Sequence, residues 1–257
     1  MLIDVKPRHK DERVRNKSAF TYDDHGATAV RLATVRHYLK HFAVEIERGY
    51  GGDLSKKTAK TIAALRDLNS SLNEQLEHEY GPPQGPDTVY FPDDEGGVTN
   101  APIFERDLRE KYLGCERSND IDYDGRNHFA DYESFMKARN VDLNRPIGEQ
   151  FSTDEHIAVG GRLRAIANYA GTLIVKLSHS YSLNSHMIQR ALRFYDGCGG
   201  GALGDLICAL DSRYFRDCPS VPANVRYIYY DNGTEAAKKY FNLSTAEMDP
   251  GCPGVPR

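Results

Sequence analysis

The chain has 257 residues, with 33 Lys and Arg against 37 Asp and Glu and a formal net charge of −4. Hydrophobic residues make up 40%, and 16 Tyr and 10 Phe supply apolar area for a core, which excludes a wholly disordered chain. No run approaches the roughly 18–20 apolar residues of a membrane helix, and the five Cys contain no CxxC pair, so a disulfide framework or a zinc ribbon is not expected. The start, Met1 to Pro7, has no basic region followed by an apolar run, so no secretory signal is expected. Reduced thiols and no signal point to a cytoplasmic setting without a membrane partner.

Residues 1–22 read as a basic arm. Lys6, Arg8, Lys10, Arg13, Arg15 and Lys17 alternate with polar residues and show almost no apolar periodicity. Such an arm is either solvated or a strap for phosphates, which makes RNA a candidate partner. Residues 23–257 are expected to form one domain. His37, His41 and Glu45 are spaced four apart and would share one helical face, as metal ligands do. His78, His128, His156, His179 and His186 show no comparable pairing, so satisfied histidines are the preferred reading and no metal is expected. A strand over 42–47 competes with this helix.

Residues 53–80 are the clearest helix, with Leu54, Ile62, Leu65, Leu68, Leu72 and Leu76 on one stripe and Gly81-Pro82-Pro83 as its stop. Residues 81–100 read as loop around a short strand, Thr88 to Phe91, and a helix is expected over 103–113. Ser152 and Glu155 spell a capping box that starts a helix. Gly171 is expected to end it as a left-handed cap. Thr172-Leu-Ile-Val-Lys-Leu177 then reads as a buried strand, because it is β-branched and apolar. Helix, glycine and strand in this order point to an α/β layer. A helix is expected over 185–193, a strand over 224–230, and a short helix from Thr234 to Phe241. No internal repeat stands out.

Gly197-Cys-Gly-Gly-Gly201 resembles the glycine-rich loop of class I S-adenosylmethionine-dependent methyltransferases. The resemblance implies that Gly197, Gly199 and Gly201 hold the cofactor and that Asp231, after the strand 225–230, binds its ribose. Ala170 to Leu177 resembles the late strand of the ribose 2′-O-methyltransferases, the heat-shock ribosomal RNA enzyme and the viral cap-modifying enzymes. Those share a Lys-Asp-Lys-Glu tetrad, and the resemblance places one lysine at Lys176. A lysine with a lowered pKa suits the step, since a ribose hydroxyl needs its proton steered away as it attacks the sulfonium methyl. In this register Lys17 is the first lysine, Asp142 the aspartate, and Gly49, Gly51, Gly52 and Asp93 the cofactor site. The glutamate position holds Asn224 or a neighbour, so the tetrad is incomplete. The two cofactor registers remain alternatives.

The expectation is therefore a Rossmann-like α/β domain with a mainly parallel sheet, helical insertions and a basic arm. The expected function is methyl transfer from S-adenosylmethionine, with ribose 2′-O-methylation of RNA as its most specific form. The alternative is a non-catalytic, mostly helical structural or nucleic-acid-binding protein, such as a viral assembly component. Cys115, Cys198, Cys208, Cys218 and Cys252 lack any context that marks a reactive thiol.

Overall fold

The computed structural model describes residues 19–81, 90, 146–197, 200–222, 225, 228–230 and 234–242. Helix α1 spans Tyr22–Gly49. A capping box starts it: Thr21 Oγ1 accepts from the Asp24 amide at 3.1 Å, and Asp24 Oδ2 accepts from the Thr21 amide at 2.9 Å. Leu32, Val35, Leu39, Phe42 and Ile46 recur at steps of three and four, and all are buried. Residues 42–47, with a strand as one reading, are therefore helix, because Phe42 and Ile46 continue that stripe.

Helix α2 spans Gly52–Tyr80, one residue longer than the sequence suggests. Its N-cap is Gly51, with no side-chain cap hydrogen bond, although Asp53 and Ser55 nearby are residue types that cap helices. Gly51 and Gly52 have φ of 57° and 55°, a left-handed pair that reverses the chain tightly between α1 and α2. Gly81 stops α2 with φ of 82°.

Helix α3 spans Thr153–Ser180 and carries the expected capping box of Ser152 and Glu155. It does not stop at Gly171. Leu163, Ile166, Ala170, Leu173 and Leu177 form one unbroken buried stripe through the segment 172–177, which was expected to be a strand. Weak helix propensity costs a few tenths of a kcal/mol per β-branched residue and about 1 kcal/mol for glycine. Burying Leu173 and Leu177 is worth about 1.5–3 kcal/mol each, so packing wins. Helices α4 (His186–Phe194), α5 (Gly201–Asp217) and α6 (Thr234–Phe241) follow, α4 and α6 close to their expected bounds.

The α/β fold with a parallel sheet is thus overturned: 78% of the described residues are helical and none is in a strand. Within the expected strand 224–230, Val225 is in a 3-10 turn, Ile228 and Tyr229 are in a turn and Tyr230 in a bend. Of the expected strand 88–91 only Tyr90 is described, and the expected helix 103–113 lies outside the described residues. No helix among the described residues is long and apolar enough to cross a membrane.

Packing follows the stripes. Helix α1 packs on α2, α3 on α4 and α5, and α2 on both α4 and α5. The contacts of α2 run antiparallel to its partners: Ser71 meets His186, Asp67 pairs with Arg190 at 2.8 Å, Thr61 donates to the Ala202 carbonyl at 2.9 Å, and Lys60 pairs with Asp205 at 2.9 Å. These ion pairs are half-exposed and contribute about 0–1 kcal/mol each. The apolar stripes carry most of the stability. Residues 1–18 of the expected arm lie outside the described residues, while Phe20, Thr21 and Tyr22 belong to the helical body.

Gly201 opens α5 with φ of 72°, and a Cβ there would meet the Phe194 carbonyl and the Tyr195 backbone at 2.9 Å. Gly201→Ala is expected to lower stability by about 2–3 kcal/mol, read by urea denaturation. An unchanged midpoint would show that the α4–α5 turn relaxes freely.

Candidate functional site: two buried histidine clusters

Among the described residues two histidines are fully buried, and each stands on the first turn of a long capped helix. His25 follows the Thr21–Asp24 box, and His156 follows the Ser152–Glu155 box. A capped first turn fixes the backbone, so each imidazole enters the core at a set angle.

Around His156, Asp217 Oδ2 lies 3.2 Å from Nε2, and the Tyr229 hydroxyl lies 2.7 Å from Nδ1. The Tyr50 hydroxyl donates to Asp217 Oδ2 at 2.6 Å and accepts from the Phe151 amide at 2.8 Å. Because a carboxylate only accepts, Nε2 carries a hydrogen toward Asp217. Burial alone would push the Asp217 carboxyl up, but hydrogen bonds from His156 and Tyr50 outweigh it and hold the carboxyl below its ordinary range.

Around His25 the same residue types recur. Glu79 Oε2 lies 3.0 Å from Nε2, and the Tyr90 hydroxyl lies 2.8 Å from Nδ1. The Tyr181 hydroxyl accepts from the Phe20 amide at 3.1 Å and also hydrogen-bonds Glu79. Burial pushes the Tyr90 and Tyr229 phenols well above their usual values. Phe20 and Phe151 stand edge-on to the imidazoles, at centroid distances of 5.4 and 5.5 Å. Both clusters therefore hold a histidine between a carboxylate and a tyrosine, walled by aromatics and closed to water.

No protein-family model, no curated protein and no solved structure matches this chain.

The residues expected to form a site are not brought together. Lys176 is an exposed residue of α3 rather than the tip of a strand, and its charge helps hold the Asp24 carboxyl down: burial would raise that group, while hydrogen bonds with Thr21 and then Lys176 lower it. Gly49 is the last residue of α1, and Gly51 and Gly52 form the α1–α2 turn. Gly197, with φ of 83°, and Gly201 flank the α4–α5 turn, where Asp196 accepts from the Gly200 amide at 2.7 Å. Lys17, Asp93, Asp142, Gly199, Asn224 and Asp231 lie outside the described residues. His41 and Glu45 lie on α1, the His37 side chain is outside the described ones, and among the described residues no group of His, Cys, Asp or Glu is placed to hold a metal. Cys218 is buried, accepts from Thr153 and has its thiol pushed up by burial, which makes it inert.

Sequence reasoning missed His25, Glu79, Tyr90, Tyr50, Tyr181, Asp217 and Tyr229. One signal was available: Phe20-Thr-Tyr-Asp-Asp-His25 and Phe151-Ser-Thr-Asp-Glu-His156 share one pattern, a Phe, a hydroxyl cap, two acids and a His. The other partners come from distant helix ends, and no local pattern marks them.

Asp211, beside these residues on α5, is buried with Oδ1 unpartnered, and burial pushes its carboxyl up to about 6. A carboxyl with a raised folded pKa favours the fold below its unfolded pKa, and that contribution is lost as pH rises through about 6. Asp211→Asn is expected to add about 1 kcal/mol at pH 7 and nothing at pH 4. Asp217 has the opposite sign, since its lowered carboxyl stabilises above the ordinary carboxylate pKa and is lost in acid. Asp217→Asn is expected to cost about 2–4 kcal/mol at pH 7 and less at pH 3. Urea denaturation across this range checks both, and a loss from Asp217→Asn that persists undiminished in acid would show that it does not arise from the charge.

Proposed function

We propose that this chain is a non-catalytic helical structural protein, whose body anchors a basic arm that contacts RNA. The observation that carries this reading is the state of the buried histidines. Both are wholly buried, and their ring nitrogens are taken up by neighbouring tyrosines and carboxylates. Groups so engaged hold helices together and offer nothing to a substrate. Fully satisfied polar networks of this kind rigidify and specify a core.

The anchor is Phe20. Its amide donates to Tyr181 at 3.1 Å, and its carbonyl accepts from Tyr80 at 2.8 Å. The cations Lys6 to Lys17 precede, in the sequence, a peptide held on both sides. Phosphates are the ligand class that six clustered cations with polar spacers suit. Methyl transfer from S-adenosylmethionine rested on a strand ending at Lys176, and that segment is helix.

The test is a fluorescence titration of single-stranded RNA against the full chain and a chain lacking residues 1–17, at several salt concentrations. The full chain should show a log–log salt slope of up to about −4, which the shortened chain loses. Equal slopes would remove the arm from binding. Calorimetry with S-adenosylmethionine supplies the counter-test: a stoichiometric complex would overturn the non-catalytic reading.

A further inference from the structure

Helices α1 and α3 are each 28 residues long. A shift of 131 positions carries Phe20 to Phe151, His25 to His156, Arg31 to Arg162, Tyr38 to Tyr169 and Tyr50 to Tyr181. The same shift lays the buried stripe Leu32, Val35, Leu39, Phe42, Ile46 onto Leu163, Ile166, Ala170, Leu173, Leu177. The second helices also correspond. Leu54, Thr58 and Thr61 match the spacing of Met187, Ala191 and Phe194, and Leu65, Leu68, Leu72 and Leu76 match Leu203, Leu206, Leu210 and Tyr214, all buried. The register slips between these two sets, and the slip falls at 195–200, where α4 stops and α5 begins. The α4–α5 pair is thus α2 with a glycine-rich interruption. Asp67 then corresponds to Asp205, and Glu79 to Asp217.

Likeness of spelling alone would be weak, and the contacts decide. Two interactions between the first and second parts recur with the partners exchanged, and a third recurs one helical turn away. The Phe20 amide donates to Tyr181 at 3.1 Å, and the Phe151 amide donates to Tyr50 at 2.8 Å. Arg31 lies over the Tyr169 ring at 5.9 Å, and Arg162 over the Tyr38 ring at 6.0 Å. Asp205 pairs with Lys60 on the facing helix, and its counterpart Asp67 pairs with Arg190, which corresponds to Lys57, one helical turn from Lys60. Reciprocal contacts, in which residue i meets j and j meets i, are the mark of a two-fold axis.

We propose that the units beginning at Phe20 and Phe151 are two copies of one helical module, joined in one chain and packed about a pseudo-two-fold axis as the subunits of a homodimer pack. Each copy supplies, from the end of its first long helix, the tyrosine that closes the histidine cluster of the other. Neither cluster is complete within its own copy. The glycines at 197–201 are an interruption within the second copy, which accounts for their lack of a counterpart in α2.

The test uses the full chain. Spin labels carried on p-acetylphenylalanine at Asp23 and Val175, and in a separate preparation at Asp154 and Val44, mark exposed positions that the axis exchanges. Pulsed dipolar spectroscopy should give coincident distance distributions for the two pairs; clearly separated distributions would overturn the proposal. Independently, Tyr181→Phe should shift the ring resonances of His25 and spare His156, while Tyr50→Phe does the reverse. Both should lower the melting temperature by similar amounts in one transition. Two separate transitions, or a substitution that disturbs the histidine of its own copy instead, would also overturn it. The label pairs keep the proposal testable even where a tyrosine variant fails to fold.

Discussion

An imidazole beside a carboxylate can enter a protein core only when the polar atoms of both are met. That constraint organises this molecule. His156 needs Asp217 from the end of α5, Tyr229 from the segment after it, and Tyr50 from the end of α1. Satisfying one ring therefore fixes the relative positions of three distant stretches of chain. His25 imposes the same demand on Glu79, Tyr90 and Tyr181. The apolar stripes supply most of the energy, but they tolerate sliding between helices. The clusters do not, because an unmet donor or charge in the core costs several kcal/mol.

Much of the helical scaffold was legible in the sequence. The leucine stripe of α2, the Ser152–Glu155 box and the helix after Ser185 were readable because each signal is local: a period, a cap or a stop. The error over 172–177 came from weighing composition above period. Thr172, Ile174 and Val175 suggested a strand, yet Leu173 and Leu177 continued a helical stripe that began at Leu163. Gly171 misled in the same way, since glycine in a helix interior carries a modest cost that strong packing on the opposite face outweighs. With that strand gone, Lys176 lost its reason to be buried.

The candidate site was far less legible, for a physical reason. Hydrogen bonds between its members reach across up to 167 residues, as in the bond between Tyr50 and Asp217. Only the hexapeptide that ends at each histidine leaves a local trace, and the trace is informative only when its two occurrences are compared. The repeat escaped notice because the interruption at 195–200 splits the second copy's counterpart of α2, and because the stripes conserve size class rather than identity, as Phe42 and Leu173 do. Asn73 and Asp211 show how equal positions drift apart. Both are buried with one oxygen unpartnered, yet only the aspartate can ionise.

The backbone grip on Phe20 has a mechanical side. Tyr181 holds its amide and Tyr80 its carbonyl, and these tyrosines close α3 and α2 respectively. Tension drawn through residue 19 would be divided between the ends of two other helices before reaching the first turn of α1. A pull on the chain at this point is thus met by α2 and α3 before it can unwind α1.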